Sequence, residues 1–319
     1  MKKKYKSIIG LSGGLDSSMT AWLVCNKEEY LHKFASIKLG EKPLAVIVDN
    51  HWNTDIANSN IMRIVNHFQL DYLWIKVDKE QFFDLQRAFL KSGTKNIEIP
   101  TDHIIYALTY KIADMVGAKV IYSGGNTATE GYMPKEWGYN ARDLTFIKAI
   151  HKRFGTGLMD RIPTLSLLGY IYHRFIKRIK IVQPLEEIDY RVKESKELLN
   201  REINWEDYGE KHEESIYTKW FQNCYLPQKF GIDKREAHYQ SLVNSGQMTK
   251  EEMLEKLKKQ PVCIDLNDLT IDFTNRVVEG IDCWLKTPKK SYKDYQNNEQ
   301  LVNLLSYIFK IWKRITSVV

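Results

Sequence analysis

The run Ser12-Gly13-Gly14-Leu15-Asp16-Ser17-Ser18 follows an apolar stretch, Ser7-Ile8-Ile9-Gly10-Leu11, and opens a segment of helical character. Glycines at such a turn let backbone N–H groups close on an oxyanion where a Cβ would clash. The hydroxyls of Ser12, Ser17 and Ser18 add donors, and the N-terminus of the next helix adds partial positive charge. Asp16 would only repel phosphate unless it holds a cation. The set therefore reads as an ATP site that handles pyrophosphate with magnesium. No Gly-Lys-Ser/Thr closes the loop, so the Walker A arrangement and its γ-phosphate chemistry are not implied. A bare glycine turn between strand and helix has no packing use for an acid flanked by hydroxyls.

A second concentration of reactive side chains lies far downstream. Trp205 to Ser215 carries Lys211, His212 and Glu214; Leu226 to His238 carries Lys229, Lys234, Arg235 and His238. The cations suit phosphates, with the Arg fork fitted to a bidentate contact. The two histidines suit proton transfer near neutral pH. Alone, such clusters read as a solvated, salt-bridged surface. Beside a loop that supplies no lysine for departing pyrophosphate, they acquire a use.

Ser12-Gly13-Gly14-x-Asp16-Ser17 resembles the PP-loop of the N-type ATP pyrophosphatases. That resemblance implies cleavage of ATP between the α and β phosphates, adenylation of a substrate oxygen, and displacement of AMP by nitrogen or sulfur. Gly209-x-Lys211-His212-x-Glu214-Ser215 is one of four further motifs; Leu226-Pro227-x-Lys229-Phe230-Gly231-Ile232-Asp233-Lys234-Arg235-x-Ala237-His238 is the longest. With Ser245 to Glu252 and Ser123-Gly124-Gly125-Asn126, they resemble the N-acetyl sugar amidotransferases of bacterial lipopolysaccharide and O-antigen biosynthesis. The likeness runs from about Ser7 to Lys258; the remainder is not diagnostic.

The resemblance implies an ATP-dependent enzyme that turns an acetamido group of a sugar or sugar nucleotide into an acetamidino group. Ammonia would come from a separate glutaminase, with a cyclase-like partner, both resembling subunits of imidazole glycerol-phosphate synthase. No Gly-x-Cys-x-Gly elbow stands in this sequence. By the same likeness Leu11, Ser12, Gly13, Gly14, Asp16, Ser17 and Ser18 hold the nucleotide, and Asp16 carries Mg2+. Val48 and Asp49 meet the adenosine, with Gly124, Gly125 and Asn126 at the same pocket. Lys229, Lys234 and Arg235 neutralise pyrophosphate, while His212, Glu214 or His238 takes the proton from ammonia. Many members carry a cysteine-rich segment ahead of the loop; here the first strand opens the sequence, which leaves the sugar undefined.

Two other readings stay open. The net charge of +7 suits tRNA, as in tRNA-modifying PP-loop enzymes, although no nucleic acid is expected as partner. Thiolation needs a cysteine pair, and Cys25, Cys224, Cys263 and Cys283 form no Cys-x-x-Cys; lysidine-type synthesis needs none. A nucleotide-binding subunit without catalysis would have no need of Asp16.

With 43% hydrophobic and 27% charged residues, the 319-residue chain is an ordinary globular one, large enough for one or two domains. The scattered cysteines signal neither a zinc site nor a disulfide framework, in keeping with a cytoplasmic protein. No signal peptide and no membrane-spanning run is seen. From Leu301 to Val319 apolar residues recur at helical spacing among Lys310, Lys313 and Arg314. This is read as a terminal helix docking on its own domain, with peripheral membrane contact as the alternative.

These residues must be held by an α/β scaffold. Strands are expected at 7–11, 43–49, 71–77 and 117–123, alternating with helices at 16–27, 56–68, 79–91 and 101–116, the last capped by Thr101 or Asp102. Such alternation predicts a parallel sheet with helices on both faces, an adenine nucleotide alpha hydrolase-like fold by the resemblance. The glycine loop, Asp49-Asn50 and Gly124-Gly125-Asn126 then share the carboxyl edge, where such sheets bind ligands. A PP-loop domain is expected over 1–150 and a mainly helical substrate and partner region over 151–319. The latter includes a helix over 190–202 and another opened by a capping box at Thr249.

Overall fold

The computed structural model describes residues 5–26, 42–264, 277, 285–301, 304 and 307. Its sheet has five parallel strands, β1 (Ser7–Gly10), β2 (Leu44–Asp49), β3 (Tyr72–Lys76), β4 (Val120–Tyr122) and β5 (Lys180–Val182), in the order β3-β2-β1-β4-β5. Because all strands are parallel, their carboxyl ends lie on one edge. β1 and β2 sit inside the sheet with both faces covered, which explains their near-continuous apolar sequence. Ile8, Ile9, Ala45 and Ile47 are wholly buried.

Four strands fall where the sequence places them. β5 does not: it is three residues long, largely exposed at the sheet edge, and has no apolar excess to mark it. It carries the sheet into a stretch read as helical.

The helices over the sheet are α1 (Leu15–Asn26), α2 (Asp55–Phe68), α3 (Lys79–Ser92) and α4 (Ile99–Val116). Thr54 and Asp78 cap α2 and α3 through backbone N–H groups of Ala57 and Gln81. At α4 the expected cap is corrected. The helix begins at Ile99 after Glu98, which makes no side-chain cap, and Pro100 occupies the first turn, where its missing N–H costs nothing. Thr101 and Asp102 therefore lie inside the helix.

Beyond the sheet the chain is mainly helical: α5 (Thr127–Glu130), α6 (Leu144–Phe154), α7 (Leu167–Ile171), α8 (Val192–Ile203), α9 (Ile216–Trp220), α10 (Arg235–Asn244) and α11 (Lys250–Leu257). A π-helical stretch, Phe221–Phe230, continues α9, and the Thr249–Glu252 capping box opens α11. Side chains of α1, α2 and α8 pack with Ile9, Ala45 and Trp205 on one face of the sheet. Ile8, Val46, Tyr110 and Ile121 fill the other. A further cluster joins α3 and α6 to the Tyr217–Leu226 region through Trp52, Phe83, Phe89 and Tyr225.

One expectation about cysteine is overturned. Cys224 and Cys263 form a disulfide, their Cα atoms 5.0 Å apart across 39 residues of sequence. The pairing ties the buried π-helical stretch to the segment after α11, and long separation with no motif left nothing in the sequence to signal it. Among the described residues no helix is long and apolar enough to cross a membrane. Cys283, and the C-terminal amphipathic stretch apart from 301, 304 and 307, lie outside the described residues.

Candidate active site

The turn between β1 and α1 is built so closely that glycine is required. Gly13 has φ of +78°, and a Cβ there would stand 2.1 Å from the carbonyl oxygen of Ala57. The Gly13 carbonyl accepts from Asn60 Nδ2 and Trp205 Nε1, both at 3.3 Å, which pins the loop to α2 and to the segment after α8. At β4's end, a Cβ on Gly124 would lie 2.8 Å from the Asp16 carbonyl carbon. The two loops thus touch backbone to backbone.

Within the loop, Gly14 N donates to Ser12 Oγ at 3.2 Å, and the Ser12 and Ser17 hydroxyls lie 3.1 Å apart. Ser18 is different. It is wholly buried, donates to the Gly14 carbonyl at 2.7 Å and accepts from Trp205 Nε1 at 3.1 Å. Its hydroxyl braces the loop and is not available to a phosphate.

The segment 205–216 folds over this turn. Glu206 exchanges hydrogen bonds with the buried Asn60 side chain, at 2.8 and 2.9 Å, while Thr54 N donates to the Glu214 carbonyl and Ile216 N to that of Trp52. Gly209, at φ of +110°, and His212, at φ of +67°, turn the backbone between these anchors. Lys211 and His212 are thereby brought against the loop.

A cavity of about 260 Å³ lies between them. Ser12, Gly14, Asp16, Ser17 and Gly124 line one wall; Thr129, Glu130, Lys211, His212, Glu214 and His238 line another. Asp16 accepts from Lys211 Nζ and from the Tyr190 hydroxyl, each at 2.5 Å. Lys211 also reaches Glu130 Oε1 at 3.1 Å and Thr129 Oγ1 at 2.9 Å. His212 Nε2 stands 3.4 Å from the same Glu130 oxygen, and the rings of His212 and His238 are 5.4 Å apart, edge to face.

The charges in this network set one another. Burial works to raise the Glu130 carboxyl, but His212 and Lys211 outweigh it and hold it at about 2. Burial likewise opposes the His212 imidazolium, yet Glu130 and Glu214 raise its pKa above 6.5. His238 has burial and the charges of His212, Lys211 and Lys234 all against protonation, and its pKa falls well below 6.5. The pKa values of two adjacent histidines are thus driven in opposite directions. Glu214 Oε2 is buried without a hydrogen-bond partner among the described residues.

Other sequence-derived candidates lie elsewhere. Lys229 is buried beside Thr287, with Nζ 2.5 Å from its hydroxyl, and burial with Lys289 lowers it to about 8. Arg235 is committed to Asp233 and to the Lys259 carbonyl. Lys234 does not line the cavity; its Nζ lies 2.8 Å from Met133 Sδ, and its charge interacts with Glu98, Glu130 and Asp102. Asp49 accepts from His51 N at 2.9 Å and Trp74 Nε1 at 3.1 Å, bracing the turn after β2, and neither it nor Val48 lines the cavity. Leu11 is core. Gly125 abuts Gln183, and the buried Asn126 caps α5 through Thr129 N at 2.9 Å, so it positions Thr129 and Glu130.

Glu130, Thr129, Tyr190 and Tyr208 were not legible as site residues. Tyr208 accepts from Leu15 N at 2.9 Å, at the head of α1. The one available signal was Asn126 as a helix cap, which places Glu130 a single turn onward at the sheet edge.

Among solved structures, the chain is similar to an NH3-dependent NAD synthetase from Campylobacter jejuni, at 14% identity and a TM-score of 0.34, over 81% of this chain and 89% of that one. It is also similar to the U34-tRNA thiolase NcsA from Methanococcus maripaludis, at 12% identity and 0.35, over 86% and 82%. A third is an NMN synthetase from Francisella tularensis, at 14% and 0.29, over 63% and 84%. No curated protein matches the chain. Residues 214–311, which begin at the cavity-lining Glu214, match the family described as LPS biosynthesis protein WbpG-like, C-terminal domain.

Proposed function

We propose that this protein is an ATP-dependent amidotransferase acting on an N-acetylated sugar or sugar nucleotide. The acetamido oxygen attacks the α-phosphorus of ATP, giving an O-adenylyl imidate and pyrophosphate. Ammonia then adds to the imidate carbon, the C–O bond breaks, and AMP departs with that oxygen, leaving an amidine. The observation that carries this reading is the contact between Asp16 of the phosphate-type loop and Lys211 of the downstream motif. It supplies the cation that the loop itself lacks. The match of residues 214–311 to an LPS biosynthesis family supports a sugar as substrate.

Ser12, Gly14 and Ser17 would hold the pyrophosphate, with Lys211 and His212, whose raised pKa favours its protonated form, answering charge as it develops. Magnesium usually binds through one or two carboxylates plus phosphate oxygens. Asp16 and the unpartnered Glu214 Oε2 are suitable donors on the same cavity. The ion would supply charge neutralisation at the phosphates. His238, whose pKa is lowered beside a partner whose pKa is raised, is the base that would take a proton from the nitrogen once it has added to the imidate carbon; such paired titration sites often mark the acid and base of a reaction. The ammonia supply is proposed to be a separate glutaminase with a cyclase-like partner.

The test follows the oxygen. A sugar nucleotide labelled with oxygen-18 in its acetamido carbonyl is incubated with MgATP and ammonium chloride. Label in AMP, with a product one mass unit lighter than its unlabelled acetamido parent, is the expected result. AMP formed without the label, or AMP release that total tRNA alone stimulates, rejects it.

A further inference from the structure

A second cavity, of about 360 Å³, lies among the loop before α4, the turn at 135–139 and the segment 290–293. Lys95, Lys135, Lys290 and Lys293 line it together with Trp137, Tyr139 and Tyr292. Tyr139 and Tyr292 are stacked, with ring centroids 4.3 Å apart and planes 17° from parallel. Their hydroxyls donate to Asp143 at 2.6 Å and to Glu299 at 2.5 Å, so the pair is anchored at both ends. Lys290 shares its charge with Asp294 at 3.8 Å, and Glu136 is the acid in the lining. Asp143, Glu299 and Asp294 stand outside the lining, so within it four ammonium groups face one carboxylate, Glu136.

We infer that this cavity binds the nucleoside diphosphate part of a sugar nucleotide, the base against the aromatic side chains and the phosphates among the lysines. Aromatic side chains take any base by stacking, and ammonium groups meet phosphate as point charges. The site also lies within reach of the first cavity. Glu130 lines one and Lys135 the other, and five residues of extended chain span at most about 18 Å. The entry to α4 links them too, with Ile99 in this lining and the preceding Glu98 interacting with His212. This inference rests on the sugar-nucleotide reading above and assigns the carrier's place.

The experiment measures binding of UDP and GDP to the full chain by calorimetry, with and without saturating ATP. At least one of the two should bind, additively with ATP, and at least tenfold more weakly to the Lys135→Glu/Lys293→Glu variant. Trp137→Ala should weaken it as well, while ATP binding is unchanged in both variants. Absence of binding by either nucleotide, displacement by ATP, or affinity unaltered by the substitutions overturns the assignment. Inorganic pyrophosphate binding as tightly as UDP would remove the base contact and overturn it equally. Nucleotide binding as described with no acetamido-dependent AMP would reject the reaction and keep the site; AMP formation without nucleotide binding would do the reverse.

Discussion

Lys211 Nζ lies 2.5 Å from Asp16 Oδ2, across 195 residues of sequence. The contact joins the glycine loop after β1 to a segment that no local propensity would bring there. It also sets the electrostatics of the site, because Lys211 is shared with Glu130.

Removing that lysine should act on the chemical step. Lys211→Ala is expected to lower kcat by roughly 10²–10³-fold, the scale of losing one pre-organised charge at a transition state, with a smaller change in KM for ATP. Asp16→Asn should abolish AMP formation while circular dichroism stays native. Steady-state kinetics of AMP release check both; a pure KM effect for Lys211→Ala would make it a ground-state contact.

The two histidines should titrate on opposite sides of pH 6.5. His212 is raised and His238 lowered, and Glu130→Gln should bring His212 down, since Glu130 supplies much of what opposes its burial. Because its folded pKa exceeds the unfolded one, the stabilisation from His212 is complete below pH 6.5 and fades as pH rises through the folded value. Proton NMR of the imidazole C2–H signals, assigned with His212→Gln and His238→Gln, reads both directions.

Glycine substitutions should separate stability from function. Gly13→Ala forces an L residue to φ of +78° and a Cβ against Ala57 O, so a loss of more than about 2 kcal/mol is expected in urea unfolding. Gly124→Ala keeps an allowed φ but crowds the Asp16–Ser17 backbone. It should cost activity out of proportion to stability.

The Cys224–Cys263 link should report itself by mass and by stability. Reduction adds two mass units, and Cys263→Ser should destabilise the chain by about 2–4 kcal/mol, typical for a disulfide closing a loop of this size. Cys25, whose thiol burial pushes up to about 12, should react slowly with thiol reagents in the native state.

Much of the scaffold was readable because burial leaves a local trace. β1, β2 and β4 are apolar runs, and α2 and α3 fall on the helices expected over 56–68 and 79–91. β5 left none, since an exposed edge strand of three residues needs no apolar pattern. The start of α4 was misplaced for a related reason: Thr101 and Asp102 are good caps by type, but Pro100 already fits the first turn and the helix begins before them.

By itself the sequence determined the glycine loop, its acid and its place at the carboxyl edge of a parallel sheet, because turn geometry and strand burial are imposed by neighbouring residues. The chemistry of Lys211, Lys229, Lys234 and Arg235 was equally plain from residue type. Which cation meets Asp16 was decided only in three dimensions. Lys211 is carried there by Asn60, Trp205 and the turn at Gly209, whereas Lys229 and Arg235 are drawn off to Thr287 and Asp233. The upward shift of His212 likewise depends on Glu130, held by a cap at Asn126, and the downward shift of His238 on burial beside His212, Lys211 and Lys234. Long-range packing sets these pairings, and sequence spacing carries no record of it.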